Sequence, residues 1–160
     1  VAKIAVQAST TAEFSERYSG KVRINSAVLS KAASRGNLIA QQTPNTGPMT
    51  FTHTQAADEL SGKFRNLFYV PENGELVEGS RLLLTLGATY DRDGNFSTTD
   101  DQAEVAYPVE LSGDGAGRFL RNGYYRVQAL IDGLTGSELS VSISVADWET
   151  PVTQSVNLGQ

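Results

Sequence analysis

Residues 123–148, GYYRVQALIDGLTGSELSVSISVADW, read as two long antiparallel strands joined by a short turn. In the first, Tyr125, Val127, Ala129 and Ile131 fall on one side, and Tyr124, Arg126 and Gln128 on the other. This is the period-two alternation of a half-buried strand. In the second, Leu139, Val141, Ile143 and Val145 alternate with Ser140, Ser142 and Ser144, so a one-residue slip would exchange an aliphatic face for a hydroxyl one and the register is well specified. Asp132-Gly133 and Thr135-Gly136 supply the turn chemistry between them. Trp148 has the parity of the serines; it turns inward only if a bulge intervenes near Ala146-Asp147, and otherwise stays on the outer face.

Working outward, the same alternation recurs. Ala2, Ile4, Val6 and Ala8 share one face of an N-terminal strand, and a chain that opens inside a strand implies a preceding segment. After a polar passage with Glu13, Glu16 and Gly20, KVRINSAVLSKAA (21–33) sets Val22, Ile24 and Val28 against Lys21, Arg23 and Asn25. Ser34-Arg35-Gly36-Asn37 is a turn signal, NLIAQ (37–41) a short apolar return and TPNTGP (43–48) a loop. Met49, Phe51 and His53 alternate with threonines. QAADELSG (55–62) then has the makings of a two-turn helix, capped by Thr54 and ended by Gly62. NLFYVPENG (66–74) is a strand closed by a turn.

RLLLTLGATY (81–90) and AEVAYPVEL (103–111) pair as a hairpin around a polar tip. Pro108 lacks a ladder donor, which puts the second of these strands at a sheet edge. SGDGAGR (112–118) is a flexible loop. About seven strands with turn signals between them, and at most one short helix, predict an all-β fold, an antiparallel β-sandwich. Its expected core is Ile4, Val6, Val22, Ile24, Leu82, Leu84, Leu86, Val105, Val109, Val127, Ile131, Val141, Ile143 and Val145.

A chain of 160 residues suits one domain with a real core. The formal net charge is −5 and no basic stripe is visible in the sequence, so nucleic acid is not an expected partner. The absence of cysteine removes disulfides, thiolate nucleophiles and cysteine metal sites together. No apolar run approaches the roughly 20 residues that span a bilayer as a helix.

Few residue groups invite chemistry. DRDGNFSTTDD (91–101) places Asp91, Asp93, Asn95, Asp100 and Asp101 close together, an oxygen-rich set that suits Ca²⁺ in principle. A helix–loop–helix calcium loop needs glycine at its sixth position and glutamate at its twelfth. Counted from Asp91, glycine comes fourth and Gln102 twelfth, so the stretch reads as a solvated hairpin tip, with no metal expected. His53 is the sole histidine and no nucleophile elbow accompanies it, so no catalytic triad can be assembled and no enzymatic role is expected. Gly113, Gly115 and Gly117 lie between strands rather than at a strand-to-helix turn, which removes a dinucleotide reading and leaves no cofactor expected. Tyr124, Tyr125 and Trp148 offer a sugar-stacking platform if they share a face.

Arg121 to Val127 (RNGYYRV), the V-x-V-x-V-x-D-W type ending at Val141 to Trp148, and a tail of spaced valines together resemble the fimbrillin-like pilins of the Bacteroidetes. YVPENG (69–74) and AYPVEL (106–111) extend the resemblance, which is good from about residue 66 and weaker over 1–41. It implies a transthyretin-like Greek-key sandwich and a structural role as stalk, tip or anchor of a cell-surface fimbria associated with the outer membrane. It makes residues 1–160 a single domain matching the C-terminal half of a two-domain subunit, with 149–160 an extended tail. The implied partners are other fimbrial subunits joined by strand complementation, and a host surface protein or glycan. The competing reading is a surface carbohydrate-binding module.

The tail, ETPVTQSVNLGQ, bears on that choice. Pro151 biases Thr150 toward extended backbone, and Val152, Val156 and Leu158 then share one parity. It is either an edge strand of its own domain or a donor strand, with those three side chains entering pockets of a neighbouring subunit.

Overall fold

In the computed structural model, which describes residues 1–36, 51–60, 63–135 and 139–147, the described elements form two sheets. The first has the order β4-β5-β1-β8-β9, comprising β1 (Ala2–Thr10), β4 (Glu59–Leu60), β5 (Lys63–Val70), β8 (Gly123–Ile131) and β9 (Leu139–Asp147). The second has the order β3-β2-β6-β7, comprising β2 (Lys21–Ala32), β3 (Phe51–Ala56), β6 (Leu83–Asp91) and β7 (Gln102–Glu110). The fold is an all-β sandwich, and every pairing but one is antiparallel. The exception is β1, which runs parallel to β8, from Lys3↔Tyr124 to Thr10↔Ile131. Parallel neighbours need a long crossover, and here the rest of the domain lies between the two strands.

The decisive hairpin forms as the sequence predicts. β8 and β9 pair from Gly123↔Asp147 to Ile131↔Leu139 without a register shift, so no bulge intervenes as far as Asp147, and Trp148 lies outside the described residues. Tyr125, Val127, Ala129 and Ile131 are all buried against the opposite sheet, as are Ala2, Ile4, Val6 and Ala8 of β1. β6 and β7 form the expected hairpin. Pro108 sits exposed on β7 at the edge of its sheet, opposite Thr85, where a missing N–H costs no ladder bond.

Three expectations need correction. The helix over 55–62 is replaced by strand, since Gln55 and Ala56 belong to β3 and Glu59–Leu60 forms β4. Only Ala56, Ala57 and Leu60 offered a helical apolar stripe, and pairing with β2 and β5 outweighs that weak propensity. The helix lies instead at Ala12–Arg17 (α1), in the passage read as polar. Thr11 caps it, its Oγ1 accepting from the Phe14 N–H at 3.2 Å, with Glu13 in the first turn and Arg17 in the last. Its reason for existing is Phe14, buried with its ring 4.9 Å from Tyr18 and 6.4 Å from Tyr90, which plugs one end of the sandwich.

The second correction concerns parity in β2. Its pairing with β6 shifts between Ile24 and Ser26, and this bulge turns the strand over. Ile24 points inward before it; Ala27 and Leu29 point inward after it, both fully buried, so Val28 faces outward. Thirdly, Val145 has inward parity yet is 54% exposed, and Val22, Val105, Val109, Val141 and Ile143 are only partly buried. The remainder of the expected core is buried. Five large rings absent from that list, Phe14, Phe68, Tyr107, Phe119 and Tyr125, fill the centre.

The two long sides of the sandwich close differently. Along β3 and β5, Asn66 Nδ2 donates to Ala56 O (2.8 Å) and Gln55 Oε1 (3.1 Å), while Gln55 Nε2 donates to Leu67 O (2.6 Å), so side-chain amides staple the sheets together. Along β7 and β9 the Tyr107 hydroxyl donates to Gly133 O at 2.7 Å, at one end. Beyond it the half-buried aliphatics named above line both edges.

Candidate functional site

Four features bear on function: the acidic tip of the β6–β7 hairpin, the aromatic pair of β8, the loops that flank it, and the edge of β9. At the tip, the turn brings Asp91, Asp93 and Asp101 together, with one carboxylate oxygen of each within 4.8 Å of the others. Asp100 is exposed and outside this group, and Asn95 serves as a turn-former, its Oδ1 accepting from the Ser97 N–H at 3.3 Å. Asp91 is fully buried because Gly20 lies against its backbone, where a Cβ would overlap the Asp91 carbonyl.

Its carboxylate accepts from the Asn95 N–H (2.9 Å) and from Gln102 Nε2 (3.0 Å). Asp93 also accepts from the Asn95 N–H (2.7 Å), and Asp101 from the Asp93 N–H (3.1 Å). Burial pushes the Asp91 carboxyl up, but the bonds from Gln102, Asp93, Asn95 and Gly94 together hold it below the ordinary range. At Asp93 the Asn95 bond pulls down, yet the shared contact with Asp91, burial and the charges of Asp101 and Asp91 prevail, and its carboxyl sits above the ordinary range. These three carboxylates are the group that would ligate a cation here. Their hydrogen bonds are those of a turn, but Asp101 Oδ1 is buried with no hydrogen-bond partner among the described residues.

The aromatics do not form one platform. Tyr125 points into the core, its ring 4.6 Å from that of Phe119 and its hydroxyl accepting from the Leu120 N–H at 2.8 Å; burial raises its phenol above the ordinary value. Tyr124 faces the opposite way, flanked by Lys3 Nζ at 4.6 Å and the Arg126 guanidinium at 5.1 Å from its ring centroid. His53 faces inward on β3 with its ring 6.3 Å from that of Phe68, in a T-shaped arrangement.

The glycine-rich loop is a structural turn. Gly113, Gly115 and Gly117 have φ of 56°, 100° and 75°, and Asp114 both accepts from the Ala116 N–H and pairs with Arg118 at 2.7 Å. It packs against the Pro-Glu-Asn-Gly segment (71–74), which the sequence presents as the turn ending the strand before it. There Asn73 is fully buried, donating Nδ2 to Gly74 O and Gly117 O at 2.8 Å each, and Glu72 is clamped by Arg121, whose Nε lies 2.8 Å from Glu72 Oε1. The sequence signal for this clamp was the charge pair itself, 49 residues apart and joined only by the fold.

β9 is the terminal strand of its sheet, paired only with β8 among the described residues, so one row of its backbone groups has no ladder partner there. The same strand carries Val145, and with Val141 and Ile143 it presents a row of incompletely covered aliphatics. Val152, Val156 and Leu158 lie outside the described residues.

No protein-family model matches the chain, and no curated protein matches it by sequence. Solved structures match it in fold. One is a "putative cell adhesion protein" from Parabacteroides distasonis, with a TM-score of 0.62 at 13% identity over 92% of this chain. Another, of the same description, is from Bacteroides eggerthii, with a TM-score of 0.52 at 14% identity over 91% of this chain. The chain spans 52% of the first and 56% of the second, about half of each. At such identities the likeness is one of fold: this β-sandwich is built like part of each of those two larger proteins.

Proposed function

We propose that this domain belongs to a non-enzymatic, cell-surface adhesion protein and serves as part of a fimbrillin-like structural subunit assembled by strand complementation. The observation that carries the reading is the edge of β9, where a row of backbone groups with no ladder partner among the described residues coincides with Val145, an aliphatic of inward parity left 54% exposed. A polar or charged edge would discourage addition of a strand; this one offers both ladder bonds and apolar contact. The tail supplies a matching segment in Val152, Val156 and Leu158, spaced for one face of an extended strand. Each aliphatic buried in this way contributes roughly 1.5–3 kcal/mol. The resemblance of the RNGYY and ADW segments to fimbrillin-like pilins, and the adhesion names of the two structures sharing this fold, support the same reading.

The experiment is deletion of residues 152–160 in the full-length protein. The monomer is expected to remain folded while fibre formation is abolished. Normal fibres from the truncated protein would refute strand donation by this tail, and a collapsed monomer would identify it as an edge strand of its own domain.

A further inference from the structure

The outer face of the β4-β5-β1-β8-β9 sheet carries a charge pattern opposite to that of the molecule. Register fixes what stands there. Lys3, Ala5 and Gln7 of β1 lie beside Tyr69, Leu67 and Arg65 of β5 and beside Tyr124, Arg126 and Gln128 of β8; Arg126 and Gln128 in turn lie beside Ser144 and Ser142 of β9. Lys63 continues the row of Arg65 two residues along β5. Four cations therefore share this face in a chain of net charge −5, and none of the four forms an ion pair among the described residues. The other sheet's outward face is mixed in sign: Arg23 of β2 is exposed there, Glu104 accepts from Thr89 Oγ1, and Glu110 pairs with Lys31 at 3.9 Å.

The face is also concave. Ala5 and the serines are short, while Arg65, Arg126 and Tyr124 are long, so a depression of about 630 Å³ opens above Ala5 between the basic side chains. Beside the apolar Ala5, Val6 and Val127, its neutral polar groups include hydroxyls and amides from Ser142, Ser144, Gln7 and Gln128, which both donate and accept. Lys3 and Arg126 flank the Tyr124 ring, which holds two of the cations in place before any ligand arrives.

We infer that this depression binds a sulfated glycan, the guanidinium and ammonium groups taking sulfate oxygens while the serine and glutamine side chains meet sugar hydroxyls. Oxyanions suit the arginine fork, and the hydroxyl-and-amide floor is the complement of a sugar rather than of a lipid tail. Nucleic acid fits less well, because the Tyr124 ring is occupied by cations instead of standing free to stack a base. The inference does not depend on how subunits assemble, since the depression lies on a sheet face and not on a strand edge.

The test is calorimetric titration of the 160-residue chain with a heparin-derived octasaccharide. Saturable binding that weakens as salt rises is expected. The double variant Arg65→Glu/Arg126→Glu, at two exposed positions, should lose at least tenfold in affinity, and so should Gln128→Trp, which fills the depression without changing charge. Arg92→Glu, exposed at the hairpin tip, should bind like the parent chain. Unaltered circular dichroism and thermal midpoint establish that the variants are folded. The inference is overturned by absence of saturable binding, by equal affinity for the fully desulfated octasaccharide or for duplex DNA of matched charge, or by full binding in either variant of the depression. Fibre formation by the double variant in the full-length protein is scored separately, so that a failed glycan site and a failed assembly reading are told apart.

Discussion

Substituting Leu29 by alanine should destabilise the domain far more than substituting its neighbour Val28, although the sequence alternation of β2 puts Val28 inside. The bulge between Ile24 and Ser26 reverses the strand, leaving Leu29 fully buried opposite Leu84 while Val28 looks outward. Leu29→Ala removes three buried carbons, worth about 2–2.5 kcal/mol at about 0.8 kcal/mol each. β2 is an inner strand, hydrogen-bonded to β3 on one side and β6 on the other, so its surroundings cannot collapse far into the space and a cavity contribution is added. The sum is about 3–4 kcal/mol, within the usual range for buried leucine truncations. For a domain of this size that is a fall in thermal midpoint of roughly 10 °C. Val28→Ala should cost about 1 kcal/mol or less, mostly as lost β propensity. Urea denaturation followed by circular dichroism measures both. A larger loss for Val28→Ala than for Leu29→Ala would refute the bulge and with it the register of half the second sheet.

Two predictions concern carboxylates. Glu72 is held below its ordinary value of 4.5, first by its hydrogen bond from Arg121 and against the opposing push of burial. A lowered folded-state value gives stability that is present above the unfolded value and is lost as pH falls through the folded one. Glu72→Gln should therefore lower the thermal midpoint at pH 7, and the gap to the parent protein should close on acidification below about pH 4.5; a gap independent of pH would mean that the clamp acts through shape alone. Asp93 is shifted the other way, above 3.8, chiefly by Asp91 and Asp101 acting against the Asn95 bond. Its ionisation in the folded state opposes folding once pH rises through that raised value. Asp93→Asn should raise the midpoint at pH 7 with no gain at pH 3, and a destabilised variant at pH 7 would show that the charge is needed. Calorimetry with millimolar Ca²⁺ should give no saturable isotherm at the tip; one abolished by Asp93→Ala would assign a cation site to Asp91, Asp93 and Asp101.

Strand positions were legible in the sequence wherever one face is buried and the other wet, because period-two alternation is then enforced by solvent. β1 and β8 follow it along nearly their whole length, and β6 follows it as far as Ala88, beyond which Thr89 and Asp91 are buried on the other parity. β2 departs from it because a bulge consumes one residue, and Ile24-Asn25-Ser26 carries no glycine or proline to announce one. The helix was misplaced for a related reason. Six residues from Ala12 to Arg17 contain a single core residue, Phe14, so periodicity has nothing to repeat, and the capping Thr11 with Glu13 was the only local signal. Among candidate functional groups, the Asp91–Asp101 cluster was visible because it is local. The basic face was not, since Lys3, Lys63, Arg65 and Arg126 come from three strands scattered over the chain and meet only through the β5-β1-β8 order. A sequence without a basic run can still fold into a basic surface.

Disulfide trapping at the edge of β9 tests the assembly reading most directly, and residues 1–160 hold no cysteine to compete with the introduced pair. Val145→Cys is placed in one population of full-length protein and Val156→Cys in another, and the two are mixed, assembled and oxidised. A disulfide forms only where the two Cα atoms come within about 7 Å. Strand donation between subunits predicts a covalent heterodimer on non-reducing gels that is lost when either cysteine is omitted. A protein carrying both cysteines should then form covalent ladders on assembly. If that doubly substituted protein instead yields only an internally cross-linked monomer, with no heterodimer from the mixed populations, the tail belongs to its own domain and the account of assembly is contradicted.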